Sequence, residues 1–338
     1  MASKEFLEAR GHAVEEVFAG KNLQREIPEY VNVFFNQKLR QFYSPNFIRK
    51  VNKKGILVIP SIIINLFLSP VYLFEIFRLL IIIRQSKADI IVNFYDMIAG
   101  IAFAISLSNK KHIAVSHHFF HSHPAAVRVK NHSLSRWLLQ VHSFMVARKS
   151  DTRVALSFSN EANIIEKNLI VAPPLLRAEL FSLKPQNGQT ILAYFLNEGF
   201  ISDLIEAASK HNNERFKVFS DPLKNYRNTL SSNIEICSFD QDFLKELSRC
   251  KAYIGTAGFE SVCEAAWLGK RIFLLPSQHH YEQLFNAMDA KRAGLAEWGN
   301  ELNINTLSGI SNQDSIARFR KWLEKKDEIY ERLFSSHV

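Results

Sequence analysis

Cysteine is scarce in this chain: Cys237, Cys250 and Cys263 are the only three, and no Cys-x-x-Cys pair is present. That excludes a disulfide framework and the thiolate spacing of a zinc finger, and it fits a reducing, cytoplasmic setting. No internal repeat or low-complexity tract is visible, so solenoid and disordered readings fall away. Acidic side chains are the scarcer charge, 33 against 42 Lys and Arg, which leaves a net charge of +9 and favours an anionic partner. Sugar nucleotides, acidic lipid headgroups and nucleic acid all qualify. Nucleic acid is the least supported, because no basic run is interleaved with aromatics and no RNA-binding signature is present.

An uninterrupted membrane span is also missing. The stretch from Gly55 to Ile83 has the length of one, but Pro60 and Pro70 break it, and Asn65, Glu75 and Arg78 are costly in lipid. A buried or interfacial helix pair is the favoured reading, a true span the minor one. An interfacial pair would let the protein lie on the inner face of the cytoplasmic membrane. The opening residues Met1 to Phe6 read as an amphipathic helix rather than a cleavable signal.

What is present is alternation. Strands are predicted at His12 to Ala19, Val31 to Phe35, Ile90 to Phe94 and His112 to Ser116, with helices at Val71 to Ser86 and Met97 to Ser108. The second half repeats the style at Thr190 to Phe195, Arg215 to Ser220, Ile234 to Phe239, Lys251 to Ile254 and Arg271 to Pro276. With 338 residues and 47% hydrophobic composition, this predicts an α/β protein of two Rossmann-like domains whose parallel sheets face each other across a ligand-binding cleft. The expected division is 1–172, then 188–312, with 313–338 a helical end crossing back to the first domain. The boundary falls in Ala172 to Asn187, which holds Pro173, Pro174 and Pro185.

The most informative passage is Gly255-Thr256-Ala257-Gly258-Phe259-Glu260-Ser261, with Glu264 after it. An apolar run ends at the glycines and a helical run opens at once. The first amides of a helix lack internal partners and sit at the positive end of its dipole, so such a turn suits a phosphate. Glu264, one turn beyond Glu260, is placed to accept bonds from a ribose diol; pairing with Lys270 or Arg271 is its plainer alternative. Glu260 introduces a negative charge in the first turn and is expected to point away from any diphosphate. Glu282, Gln283 and Asn286 open the next helix, where Glu282 and Gln283 can meet sugar hydroxyls.

These residues carry a family resemblance. Gly258 to Lys270, Pro276, and Glu282-Gln283 through Gly294 resemble the donor half of GT-B glycosyltransferases, particularly the peptidoglycan N-acetylglucosaminyltransferase group and its relatives. The resemblance implies that the turn holds a nucleotide diphosphate, that Glu264 binds ribose, and that Glu282 and Gln283 touch the donor sugar. It implies a UDP-sugar as donor substrate, no separate cofactor, and an acceptor hydroxyl that is lipid-linked or part of the cell envelope. It also implies a strand and a Gly-rich loop ahead of the first helix. Here Ala2 to His12 match the later part of that helix, so the expectation is that the first strand is missing and that the natural start lies upstream. A sugar-nucleotide 2-epimerase and a non-catalytic binding relative are the alternatives.

Val115-Ser116-His117-His118-Phe119-Phe120-His121-Ser122-His123 follows a predicted strand. Histidine titrates near neutrality, so His117 or His118 can take the proton from an acceptor hydroxyl. Zinc is the rival reading but lacks a paired motif, so no metal is expected. His121 and His123 are read as solvated. Asp96 is the other candidate base, with capping of the helix near Met97 as the equal alternative.

Overall fold

The computed structural model describes residues 1–21, 27, 29–35, 38–46, 48–49, 56–130, 132–195, 198–220, 230–237, 242–309 and 313–335. The first lobe runs α1 (Ala2–Glu8), β1 (Val17–Lys21), α2 (Glu29–Phe35), β2 (Leu39–Tyr43), β3 (Ile48–Arg49), β4 (Ile56–Leu57), α3 (Val58–Phe67), α4 (Ser69–Gln85) and β5 (Ile90–Asn93). It continues through α5 (Met97–Ser106), β6 (Lys111–Ser116), α6 (Ser133–Val146), β7 (Thr152–Leu156) and β8 (Leu169–Ala172). A short α7 (Ala178–Ser182) lies in the connection.

The second lobe holds β9 (Thr190–Tyr194), α8 (Ile201–Lys210), β10 (Arg215–Phe219), β11 (Ile234–Cys237), α9 (Phe243–Arg249), β12 (Ala252–Gly255), α10 (Phe259–Trp267), β13 (Arg271–Leu274), α11 (Tyr281–Arg292) and β14 (Glu297–Trp298). Three helices follow: α12 (Ile304–Gly309), α13 (Gln313–Glu324) and α14 (Lys326–Phe334). The second lobe is one parallel sheet in the order β11-β10-β9-β12-β13-β14. Its inner strands carry continuous apolar runs because both faces are covered, as Ile191, Leu192 and Ala193 show at 1% exposure or less.

The first lobe holds two parallel pieces, β1-β2 and β5-β6-β7-β8, and a short antiparallel pair, β3-β4. One face packs Phe42, Tyr72, Ile76, Leu79, Ile98 and Phe103 beneath α4 and α5. The other packs Phe6 with Tyr330, Leu333 and Phe334 of α14 against Ile113, Val115 and Val154. The Tyr330 hydroxyl donates to the Pro173 carbonyl at 2.8 Å, fixing α14 on the first lobe.

Three expectations need correction. Val31 to Phe35 is helical in α2, because Val31, Phe34 and Phe35 turn inward at helical spacing and outweigh the local alternation. The strand foreseen at His12 to Ala19 begins only at Val17 and runs through Gly20. Gly20 is there for close approach: a Cβ on it would lie 2.9 Å from Asp96 Oδ2. Pro60 and Pro70 lie in the first turns of α3 and α4, where a missing N–H costs nothing, so they start helices. Residues 238–239 of the strand foreseen at 234–239 lie outside the described residues. No single helix among the described residues is long and apolar enough to cross a membrane; α3 and α4 together have the composition but bend by 64°.

Candidate functional site

The strand, turn and helix around Gly255 fold as β12, a turn at Thr256 and Ala257, and α10 capped by Gly258 without a side-chain cap. The left-handed residue is Ala257 at φ 61°, whereas Gly258 sits at φ −68°, so backbone freedom is spent one residue earlier than the glycine pattern suggests. Asn286, 2% exposed, holds this turn by donating from Nδ2 to the Ala257 carbonyl at 3.0 Å. Among the described residues, the amides of Phe259, Glu260 and Ser261 bond no acceptor, as expected of a first helical turn.

Glu260, Ser261 and Glu264 line a cavity of about 1440 Å³ that both lobes enclose. Glu264 is buried at 5% exposure, and its Oε1 accepts from Arg177 Nε at 2.8 Å. Burial raises the Glu264 carboxyl and the guanidinium pulls it back. Lys270 and Arg271 are therefore not its partners; Lys270 Nζ donates to the carbonyls of Gln186, Ser248 and Cys250. Glu260, expected to point away from a diphosphate at this turn, instead lines the same cavity; solvent reaches it, yet desolvation by the surrounding walls, and then the Glu264 charge, raises its carboxyl to about 7. Asp96 reaches the same cavity as the cap of α5, with Oδ1 accepting from the Ala99 amide at 2.9 Å and Oδ2 from the Ser44 hydroxyl at 2.6 Å. Both of its oxygens are engaged, and burial raises its pKa. Its capping role is the one the geometry supports.

The histidines fall into a second group behind Tyr95, on a 3-10 helix over His117–Ser122. His118 Nδ1 lies 2.7 Å from Ser116 Oγ, and its Nε2 lies 3.0 Å from Glu282 Oε1 on the opposite lobe. The Tyr95 ring stacks on it at 4.4 Å and also lines the cavity. Desolvation opposes the Glu282 charge, but the His118 contact prevails and holds its carboxyl down to about 2. His117 is different. It is 3% exposed, bonded through Nδ1 to the Leu156 carbonyl at 2.7 Å and stacked on Phe259 at 4.1 Å. Burial lowers it to about 3, and its ring is part of the packed lobe interface, outside the lining of the cavity that Glu264 faces. His123 is buried rather than solvated, its Nε2 2.8 Å from the Ala162 carbonyl, while His121 is half-buried and lowered by desolvation to about 4.

Geometry of this kind has known counterparts. The kitacinnamycin glycotransferase superposes with a TM-score of 0.59 at 12% identity, over 98% of this chain and 94% of that one. LpCGTa in complex with UDP gives 0.61 at 13%, over 98% and 94%. MurG of Acinetobacter baumannii gives 0.57 at 15%, over 98% and 93%. At such identities these likenesses establish the GT-B fold alone. No curated protein sequence matches significantly. The profile of glycosyl transferase family 1, however, matches residues 2–312. The chain belongs to that family.

In this glycosyltransferase the predicted residues thus divide in two. Asp96, Glu260, Ser261 and Glu264 meet in the cavity, while His118 and Glu282 pair at the lobe interface. Thr256 is buried in the turn and Gly258 is exposed beside it. Gln283 Oε1 accepts from the Ser277 amide at 2.8 Å, so its carbonyl end braces the loop before α11. Sequence reasoning passed over Arg177, Asp289 and Arg292. Arg177 meets Glu264 across 87 positions and Arg292 reaches Glu161 and Ser159 across the interface, contacts that no local spacing announces, whereas Asp289 and Arg292 are also an i, i+3 pair on α11. It also passed over Asp240-Gln241-Asp242, a spacing that can bind a metal. Asp240 lies outside the described residues, and Asp242 caps α9 through the Lys245 amide. No metal-holding cluster of His, Cys, Asp or Glu occurs among the described residues.

Proposed function

We propose that this glycosyltransferase moves a hexose from a UDP-sugar to an acceptor hydroxyl presented at a membrane surface. The observation that carries the donor half is Glu264: a buried carboxylate, one and a half turns inside an open helix start, on the wall of a cavity shared by both lobes. In this reading the diphosphate rests on the amides after Gly258 and the ribose diol on Glu264, with Arg177 paired to that carboxylate. As the glycosidic bond breaks, negative charge gathers on the leaving diphosphate. Fixed amides stabilise it without reorganising, so no metal or further cofactor is called for. His118 accepts the acceptor proton once Glu282 turns from its Nε2 to the donor sugar.

The Glu264→Ala variant is expected to weaken UDP binding by about 10- to 100-fold, the loss of one or two bonds to a charged acceptor. Titration calorimetry of UDP against the wild type and the variant checks this. Equal affinities would remove the ribose assignment.

The membrane half rests on exposed apolar surface. Ile59, Ile63, Leu66 and Phe67 on α3, Leu73, Phe74, Phe77 and Ile81 on α4, and Leu134, Trp137, Val141 and Phe144 on α6 are each 40–80% exposed. On α6 they recur at helical spacing on one side, and α5 packs against both α4 and α6. A soluble monomer rarely exposes so many large apolar side chains on neighbouring helices, and the net charge of +9 suits an anionic bilayer. Replacing Phe74, Phe77 and Trp137 together by Ser is expected to cut partition into phosphatidylglycerol vesicles at least tenfold, given about 1.5–3 kcal/mol for each fully buried side chain. Cosedimentation unchanged by the triple substitution would place the acceptor in solution.

A further inference from the structure

Strand β12 carries a tyrosine at a place the core covers completely. Tyr253 is 1% exposed and packs with Leu244 of α9 and Val262 of α10, whereas Ala252 and Ile254, on the opposite face of the strand, pack with Ile201 and Leu204 of α8. Phenylalanine would fill that space as well. A buried hydroxyl costs stability unless it is bonded, so the extra oxygen of Tyr253 calls for a reason.

The side chain does not stand upright on its strand. It leans forward over Gly255, two residues on and on the same face, so that a Cβ built on Gly255 would meet the Tyr253 hydroxyl, with Cζ at 2.8 Å and Cε1 at 3.0 Å. Glycine is what lets the phenol pass. The hydroxyl is thereby carried to the end of β12, where it hydrogen-bonds the side chain of Ser261 in the first turn of α10. Burial raises the phenol well above its ordinary value and outweighs that bond, so Tyr253 keeps its proton.

The direction of the bonds follows from what each atom can do. Ser261 Oγ donates to the Gly258 carbonyl at 3.1 Å, and a carbonyl can only accept, so the Tyr253 hydroxyl is the donor to Ser261. The result is a relay, Tyr253 to Ser261 to Gly258, beneath the amides of Phe259, Glu260 and Ser261. The Gly258 carbonyl also accepts from the Val262 amide at 3.2 Å. Ser261 can therefore turn its proton away without stranding that carbonyl. Ser261 lines the cavity, and Tyr253 lies behind it.

We infer that Tyr253 is a positioning residue for the donor's diphosphate: it holds Ser261 Oγ from behind, so that the Ser261 proton swings from the Gly258 carbonyl to a phosphate oxygen seated on the start of α10. A hydroxyl that is accepting a bond is a stronger donor, so the buried phenol strengthens a contact it never makes itself. The inference rests on the donor reading above, in which the diphosphate lies on those amides.

Calorimetry of UDP against the wild type, Tyr253→Phe, Ser261→Ala and the double variant tests this. Uridine, with the ribose and base but no phosphate, is the control ligand. Tyr253→Phe is expected to weaken UDP binding about 5- to 10-fold, the scale of one neutral hydrogen bond, and to leave uridine binding unchanged. In the double variant the Tyr253 change should add less than about twofold to the loss from Ser261→Ala, because it acts through that hydroxyl. Losses that multiply, or a loss shared equally by UDP and uridine, would show a general effect on the lobe and overturn the relay. UDP affinity that Glu264→Ala lowers and Tyr253→Phe leaves untouched would overturn the relay alone, whereas a wild type that binds no UDP would take down the donor reading and the relay with it.

Discussion

Replacing His118 by alanine is expected to lower kcat by about 10²–10⁴, the usual contribution of a positioned general base. The geometry behind this number is a pair that spans the lobes. His118 is anchored through Nδ1 at Ser116 and meets Glu282 through Nε2 at 3.0 Å, with the Tyr95 ring fixing its plane. Glu282, held down to about 2, stays ionised at every working pH and can only accept hydrogen bonds, from His118 or from a sugar hydroxyl. A purely structural role would show a different profile. If His118 merely fastens the lobes, His118→Ala would lower Tm and raise KM while leaving the acid limb of the kcat/KM profile in place. If it is the base, that limb disappears and KM for the donor moves little. Glu282→Gln, which keeps shape and removes charge, should cost less in kcat than His118→Ala.

How much of this was readable before the structure depends on how far apart the interacting residues lie. The second-lobe strands were legible because strands covered on both faces leave unbroken apolar runs, and the turn at Gly255 because a helix start has a local chemistry. The short strands β2, β7 and β8 were not singled out, since runs of four or five residues are equally consistent with buried helix segments. Residues 31–35 went wrong for the related reason that Val31-Asn32-Val33-Phe34 alternates, while tertiary burial of Phe35 selected the helix. For the site, the candidates themselves were in the sequence but their grouping was not. Arg177 reaches Glu264 across 87 positions, and whether His117 or His118 faces an acceptor turns on which of two adjacent rings is stacked under Phe259. Neither fact has a signature in spacing.

The Arg292→Ala variant is expected to lose about 3–5 kcal/mol of stability, the cost of stranding a buried charge. Asp289 is fully buried; its Oδ1 accepts from Arg292 Nε at 2.7 Å, while its Oδ2 has no hydrogen-bond partner and sits 3.7 Å from the neutral His117. Arg292 also donates to Glu161 and to Ser159 Oγ, both at 2.9 Å on the first lobe, so one guanidinium both neutralises Asp289 and ties the lobes. Burial already raises the Asp289 carboxyl, with Arg292 restraining it; without the guanidinium it rises further. The native state of the variant then holds a proton that the unfolded chain releases. Its stability is highest below the unfolded carboxylate pKa and falls as pH climbs through the raised folded value. The difference in Tm between variant and wild type should therefore be smaller at pH 5 than at pH 8. Arg292→Ala with Asp289→Asn removes the charge as well as its partner and should recover part of the loss at pH 8. A gap independent of pH, with no recovery in the double variant, would mean that the loss comes from the Glu161 and Ser159 contacts and not from the buried carboxylate.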